Sequence, residues 1–159
     1  MIMDKKQHRR IGEILIYKGL LTPDKLEMAL VEQAKTKEFL GEILLRRHFI
    51  DEKSLYEALA EQFDILFISL KNKYIDKNLL KEFTSSLILD FKCFPLEKND
   101  WSVTMAITNP LDVQVLKKAE EEARGRGIKF VLVTKEDMQE VMKRYREYVK
   151  EDISKLFEQ

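Results

Sequence analysis

Residues Arg10 to Gln33 read RIGEILIYKGLLTPDKLEMALVEQ, and similar text returns 29 positions later as FLGEILLRRHFIDEKSLYEALAEQ, Phe39 to Gln62. Nine of the 24 aligned positions are identical, and most of the other apolar positions change only to another apolar residue. The two copies have equal length and align without a gap. Such self-similarity indicates two similar supersecondary units that face each other.

Each copy predicts a short helix, a turn and a longer helix. Gly19 suits the left-handed position that follows a helix, Thr22 is a candidate N-cap, and Pro23 fits the first helical position. Asp51 is the candidate cap in the second copy. One face of each longer helix is marked by residues spaced three and four apart: Leu26, Ala29, Leu30 and Gln33, then Leu55, Ala58, Leu59 and Gln62. We therefore predict four helices in residues 1–64.

The rest of the chain predicts an α+β fold, in which a small mixed-sheet α/β subdomain follows the four-helix subdomain built from two tandem helix-turn-helix repeats. Residues 65–90 read as a linker with short helices. Residues 91–149 predict the order β-β-α-β-α, with helices on one face of the sheet. The strands are expected over residues 91–96, 101–108 and 128–133, and the helices over residues 111–124 and 135–148. Residues 1–9 form a charged leader. Residues 150–159 form a charged tail that either continues the last helix or leads towards a partner.

Composition excludes several classes of protein. Charged residues make up 35% of the 159 positions, yet 28 basic residues balance 28 acidic ones. Proteins that bind nucleic acid usually carry a basic surplus, so we expect no nucleic-acid polymer as a partner. A single cysteine excludes an internal disulfide. The absence of a signal peptide or a long apolar run predicts a soluble, cytoplasmic chain that does not insert into a membrane.

The motifs of catalysis and metal binding are missing. No GxxxxGK[ST] sequence is present for a nucleoside triphosphate, and His8 and His48 have no partner at metal-ligand spacing. Cys93 lies beside two phenylalanines in a predicted strand, which favours a buried packing thiol over a nucleophile. The stretch Gly125-Arg126-Gly127 reads as the end of a helix. The sequence therefore predicts a protein that is not an enzyme and has no metal site.

The repeat itself offers binding chemistry, with two interpretations at each position. Arg10 beside Gly12 at a helix start suits an anion, because a guanidinium and free N–H groups point the same way; a solvated arginine and a packing glycine are the alternative. The leucine pairs Leu26/Leu30 and Leu55/Leu59 either belong to the core or form an apolar surface that binds a flat heterocycle. Gln33 and Gln62 read a base edge or cap a carbonyl.

The tandem motif RxGxxLxxxGLLxxxxLxxALxxQ, a five-residue spacer and a second copy resemble the MshEN domain, also called the GspE N-terminal domain, of type II secretion and type IV pilus assembly ATPases. Further matching text includes Leu70, the Ile75-Asp76 helix start, the Phe94-Pro95-Leu96 strand and the segment from Met105 to Asp112. The motor core of the family is not in the sequence. We therefore expect either a stand-alone module or a piece of a longer polypeptide.

The resemblance implies cyclic di-GMP as the ligand of some members, and no other cofactor. The positions that would contact it are Arg10, Ile11, Gly12, Leu26, Leu30, Gln33, Phe39, Leu40, Gly41, Leu55, Leu59, Gln62 and Asn109. Three positions depart from the family pattern. Phe39 stands where the family has an arginine, His48 stands where it has a glycine, and Asn109 stands where it has an aspartate. Loss of one guanidinium contact to a dianionic ligand costs about 1.5–3 kcal/mol, or roughly 10- to 100-fold in affinity.

The resemblance also implies a second role, found in other members of the family. In these members the domain binds the cytoplasmic part of an inner-membrane assembly protein and so connects it to the motor ATPase. The sequence therefore favours a non-catalytic regulatory and docking module, with a cyclic di-GMP receptor as the alternative. DNA binding through a helix-turn-helix is a third and weaker interpretation, because the charge balance opposes it.

Overall fold

The computed structural model of the chain describes residues 10–158. The chain divides into two compact units between Asp64 and Ile65. The charged leader, residues 1–9, lies outside the described residues, and His8 lies outside them with it.

The first unit contains the four predicted helices. They are α1 (Ile11–Tyr17), α2 (Pro23–Thr36), α3 (Leu40–Arg46) and α4 (Glu52–Phe63). Both predicted caps are confirmed: the Thr22 hydroxyl accepts the N–H of Lys25 at 3.3 Å, and the Asp51 carboxylate accepts that of Ser54 at 2.7 Å. These side-chain oxygens satisfy N–H groups that a helix start otherwise leaves without a partner.

The two copies pack with the short helix of each copy against the long helix of the other. Helix α1 lies against α4, and α2 lies against α3, so each copy covers the other. Within each copy, a leucine of the longer helix closes over a glycine of the short one. A Cβ atom at Gly12 would come within 2.7 Å of the Leu26 side chain, and one at Gly41 within 3.1 Å of Leu55. The shared interior includes four almost fully buried residues at matched positions: Ile14, Leu15, Ile43 and Leu44.

Ion pairs at the surface join the same pairs of helices. Lys18, after α1, forms a salt bridge of 2.7 Å with Glu61 of α4. At the matching positions 29 residues apart, Arg47 after α3 forms one of 2.6 Å with Glu32 of α2. Arg46 adds a contact of 2.5 Å to the same Glu32 carboxylate. The first unit is therefore approximately two-fold symmetric within one chain.

The second unit is built on a four-stranded mixed sheet. Its strands are β1 (Leu66–Phe67), β2 (Phe94–Lys98), β3 (Ser102–Ile107) and β4 (Gly127–Leu132), arranged in the order β1-β4-β3-β2. Strands β1 and β3 run parallel to β4, and β2 runs antiparallel to β3.

Residues 65–90, which read as a linker in the sequence, lie within this second unit. Strand β1 joins the sheet, while the short helices α5 (Lys77–Leu80) and α6 (Ser85–Leu89) supply core residues. Four of their apolar side chains are buried: Leu79, Leu80, Leu87 and Ile88. These apolar side chains make the segment part of the hydrophobic core of the second unit.

Helices cover both faces of the sheet, so the prediction of helices on one face is wrong. Helix α7 (Val113–Ala123) shares a cluster with Val103, Met105 and Ile107 of β3. Helix α8 (Lys135–Phe157) shares a second cluster with Ala106 of β3 and with β4. Ser102 and Thr104 are only partly buried on this second face, but Ala106 lies on the same face and is fully buried.

Several element boundaries also differ from those predicted. Strand β2 begins at Phe94, not at residue 91, because the chain first turns through Lys92, whose φ of 53° is left-handed. Helix α8 continues to Phe157, so of the two alternatives for residues 150–159 the structure shows the continued helix. Among residues 10–158, no helix combines the length and the hydrophobicity that crossing a bilayer requires.

Candidate functional site

The first motif lies at the start of α1. Arg10 is the N-cap residue and is exposed, whereas Ile11 and Gly12 are buried in the first turn. The carboxylate of Glu13 accepts the backbone N–H of Arg10 at 3.2 Å. A negative charge therefore already occupies this helix start and opposes an incoming anion.

The second motif repeats this geometry without the cation. Phe39 is the N-cap residue of α3, and its side chain is 43% exposed. Leu40 and Gly41 follow, both partly buried, and Gly41 contacts Leu55 as Gly12 contacts Leu26. The backbone of the motif is thus preserved, while the group that would neutralise a phosphate is replaced by an aromatic ring.

The two leucine pairs have different surroundings. Leu26 is partly buried and Leu30 is 46% exposed, so the pair of the first copy reaches solvent. Their counterparts Leu55 and Leu59 are only 5% and 7% exposed. A flat ligand would find an apolar surface on the first copy, whereas the second pair is packed as core.

The two glutamines end the longer helices. The side-chain amide of Gln33 donates to the carbonyl of Glu38 at 3.1 Å, which ties the end of α2 to the residue before the second motif. Of the two interpretations, the carbonyl cap describes Gln33 in this structure. Gln62 is partly buried near the end of α4.

Asn109 belongs to the second unit, whereas the other twelve positions belong to the first. Its side-chain oxygen accepts the N–H of Leu111 at 3.0 Å. Asp112, next in the same segment, is the N-cap of α7 and accepts the N–H of Val115 at 3.4 Å. Both residues therefore shape the turn that leads from β3 into α7.

Charged groups near the repeat are engaged with each other. Hydrogen bonds from Arg46 and then from Arg47 lower the pKa of Glu32, and the bond to Glu61 raises the pKa of Lys18. Sequence reasoning missed these pairs. The signal was present, because the basic positions 18 and 47 and the acidic positions 32 and 61 match at the repeat spacing.

Sequence reasoning also missed an exposed apolar pair on α2. Met28 and Val31 lie one turn apart on the same face of the helix, and each is 54% exposed. Their counterparts in the second copy are Glu57 and Ala60. The first copy thus presents an apolar surface that the repeat pattern does not require.

Cys93 is a packing thiol, as predicted. It is fully buried, and its Sγ lies 3.5 Å from the sulfur of Met105. Burial raises the pKa of the thiol to about 12, so the reactive thiolate is scarce at neutral pH. Among residues 10–158, no cluster of three His, Cys, Asp or Glu residues could hold a metal ion.

Comparison with known proteins identifies relatives that include type IV pilus assembly ATPases. The type IV pilus assembly ATPase PilB of Thermus thermophilus is 30% identical over 136 residues, which cover 85% of this chain and 15% of that protein. PilB of Myxococcus xanthus is 23% identical over 136 residues, with 86% and 24% covered. Bacteriophage adsorption protein B of Escherichia coli K12 is 25% identical over 130 residues, with 82% and 17% covered. The chain therefore spans less than a quarter of the length of these relatives.

Two solved structures share the fold. A structure of MshE with cdg has a TM-score of 0.80 at 22% identity and covers 86% of this chain and 99% of that one. The N-terminal domain of XpsE has a TM-score of 0.68 at 17% identity, with 85% and 92% covered. These similarities confirm the α+β fold.

The family model for the MshEN domain matches residues 63–152. The match falls almost entirely on the second unit, although the tandem repeat of the first unit carried the resemblance in the sequence. More than half of the chain is matched, and the chain belongs to the MshEN domain family.

Proposed function

We propose that this chain is a non-catalytic regulatory and docking module of a type II secretion or type IV pilus system. In this role it works in the cytoplasm and links a motor ATPase to the cytoplasmic part of an inner-membrane assembly protein. Membership of the MshEN family and similarity to PilB and to the XpsE N-terminal domain support the proposal.

The exposed pair Met28 and Val31 is the observation that carries the docking role. Neither side chain is needed in the interior, and the second copy replaces them with a charged and a small residue. Methionine is enriched at protein interfaces, because its flexible thioether adapts to a partner surface. Burial of both side chains against a partner would supply a small hydrophobic contact centre.

Binding to the purified cytoplasmic part of the inner-membrane assembly protein tests this role. Replacement of both Met28 and Val31 by Ser should weaken the complex about tenfold or more, the loss typical of residues at an interface centre. The matched control replaces Glu57 and Ala60, the equivalent positions of the second copy, by Ser and should leave the affinity unchanged. Equal affinities for the two double variants, or no complex with the unmodified chain, would contradict the proposal.

Cyclic di-GMP reception is the second candidate function. The glycine-on-leucine packing of both motifs, the exposed Arg10 and the accessible Leu30 favour it, and MshE, of similar fold, has been solved with cdg. Phe39 in place of the second arginine and the carboxylate of Glu13 at the first motif oppose tight binding.

Calorimetric titration of the chain with cyclic di-GMP distinguishes this candidate. Arg10→Ala should abolish binding, and Phe39→Arg should tighten it about 10- to 100-fold, because a second charge-assisted contact is added. Arg124→Ala, an exposed cation of the second unit, is the control and should change nothing. Absence of heat at micromolar ligand from both the unmodified chain and the Phe39→Arg variant would remove this candidate.

A further inference from the structure

The main helix packing of the first unit joins one copy of the repeat to the other. Helix α1 packs against α4, and α2 packs against α3. Ile14 and Leu15 of the first copy are almost fully buried, and so are their counterparts Ile43 and Leu44 in the second. Each copy therefore has an apolar surface that the other copy covers. These contacts do not require both copies to belong to the same chain.

Charged residues make a first copy and a second copy the preferred pair. The carboxylate of Glu32, whose side chain is only 15% exposed, contacts Arg46 at 2.5 Å and Arg47 at 2.6 Å. The first copy has Tyr17 and Lys18 at the positions of these two arginines. A second copy therefore offers Glu32 two guanidinium groups, whereas another first copy would offer it one lysine.

The spacer between the copies contains a strained residue. Helix α2 ends at Thr36 and α3 begins at Leu40, and Lys37 between them has a φ of 62°. A side chain with a Cβ atom disfavours this left-handed conformation. The turn is held by the hydrogen bond from the Gln33 amide to the Glu38 carbonyl at 3.1 Å. Short connections under strain favour the exchange of elements between chains.

The same spacer has a sequence that suits a helix. Residues 34–39 read AKTKEF and contain no glycine or proline, and alanine, lysine and glutamate are strong helix formers. A helical spacer would join α2 and α3 into one helix over residues 23–46, about 36 Å long. Two segments of one straight helix cannot pack side by side. In that form, α3 would pack against α2 of another chain.

We propose that the first unit binds a second copy of this chain in a domain-swapped dimer. The first copy of each chain packs against the second copy of its partner, through the apolar residues and ion pairs that join the copies within one chain. The arrangement is reciprocal, so it closes with two chains. It does not depend on the docking role proposed for Met28 and Val31, which lie on the outer face of α2.

Variants of Lys37 test the spacer, with light scattering of the full chain after refolding over a range of concentrations. Lys37→Val should tighten the dimer about tenfold or more, because β-branched residues disfavour the left-handed turn. Lys37→Gly should weaken the dimer by a similar factor, because glycine accepts the turn and disfavours the helix. Glu27→Gly is the matched control and should not change the dimerisation constant, since Glu27 is exposed and helical in both forms.

A pair of charge variants tests whether the chains swap copies. One chain carries Glu32→Arg, and the other carries both Arg46→Glu and Arg47→Glu. Like charges meet within either chain alone, whereas a swapped dimer of the two variants places opposite charges at both interfaces. Refolded together, the two variants should form mixed dimers in preference to dimers of either one, as measured by native mass spectrometry.

Two results would overturn the proposal. The first is a chain that stays monomeric at every concentration, both unmodified and as Lys37→Val. The second is random assortment of the two charge variants, because dimers formed through another surface would not distinguish the pairs. Circular dichroism shows whether each charge variant folds alone. Folding that occurs only in the mixture would support the proposal, since only the swapped dimer restores the opposite charges.

Discussion

The two copies of the repeat have the same helices and packing but present different surfaces. In both copies, a glycine of the short helix contacts a leucine of the long helix. The short helix of each copy also packs against the long helix of the other. The first copy exposes Leu30, Met28 and Val31, whereas the second buries Leu59 and carries Glu57 and Ala60 at the other two positions. Positions that hold the copies together are therefore kept, and positions free of that task have diverged.

The largest expected difference between the copies concerns the matched leucines. Leu59→Ala removes a side chain that is 7% exposed and should lower the free energy of unfolding by about 2–4 kcal/mol. Leu30→Ala removes one that is 46% exposed and should cost less than about 1 kcal/mol. Urea unfolding monitored by circular dichroism measures both values. Equal losses of stability in the two variants would contradict the difference in burial between Leu30 and Leu59.

A smaller difference is expected at the turn after each short helix, where Gly19 has a φ of 72° and His48 a φ of 54°. Gly19→Ala should destabilise the chain by about 1 kcal/mol, because a Cβ disfavours the left-handed conformation. His48→Gly relieves that strain and should stabilise it by about 0.5 kcal/mol after the added entropy of the unfolded chain. Thermal unfolding checks both signs. Stabilisation by Gly19→Ala would contradict the prediction.

The smallest difference concerns the matched carboxylates. Glu32 contacts two arginines and Glu61 one lysine, so Glu32→Gln should destabilise the chain more than Glu61→Gln at neutral pH. The pKa of Glu32 is lowered in the folded state. Its stabilisation is therefore present above the unfolded-state pKa of about 4.3 and is lost as the pH falls through the folded-state value. Urea midpoints for both variants at neutral and acidic pH test this. A gap that persists in acid would contradict it.

The sequence predicts the first unit well because its signals are local and stated twice. Thr22 and Asp51 cap their helices through oxygens that reach only three residues along the chain. The second unit depends on contacts that are distant in sequence. The strand β1 at Leu66 pairs with Val131, and no local pattern indicates this pairing. The burial of Ala106 likewise depends on where α8 packs.

The candidate site is predictable in position but not in exposure. The repeat aligns Leu30 with Leu59, and nothing in either residue indicates that one is open and the other closed. Gln33 offered two roles, and its hydrogen bond to the Glu38 carbonyl is visible only in three dimensions. Arg10 and Phe39 differ in the sequence itself, so the weaker anion chemistry of the second motif could be predicted directly.

The packing of each short helix against the long helix of the other copy determines how the first unit would respond to a protease. Lys37, in the spacer between the copies, is exposed and left-handed, which makes it a natural place for a cut. Such a cut would leave α1 held by α4 and α2 held by α3, so the two fragments would remain associated without a peptide bond between them.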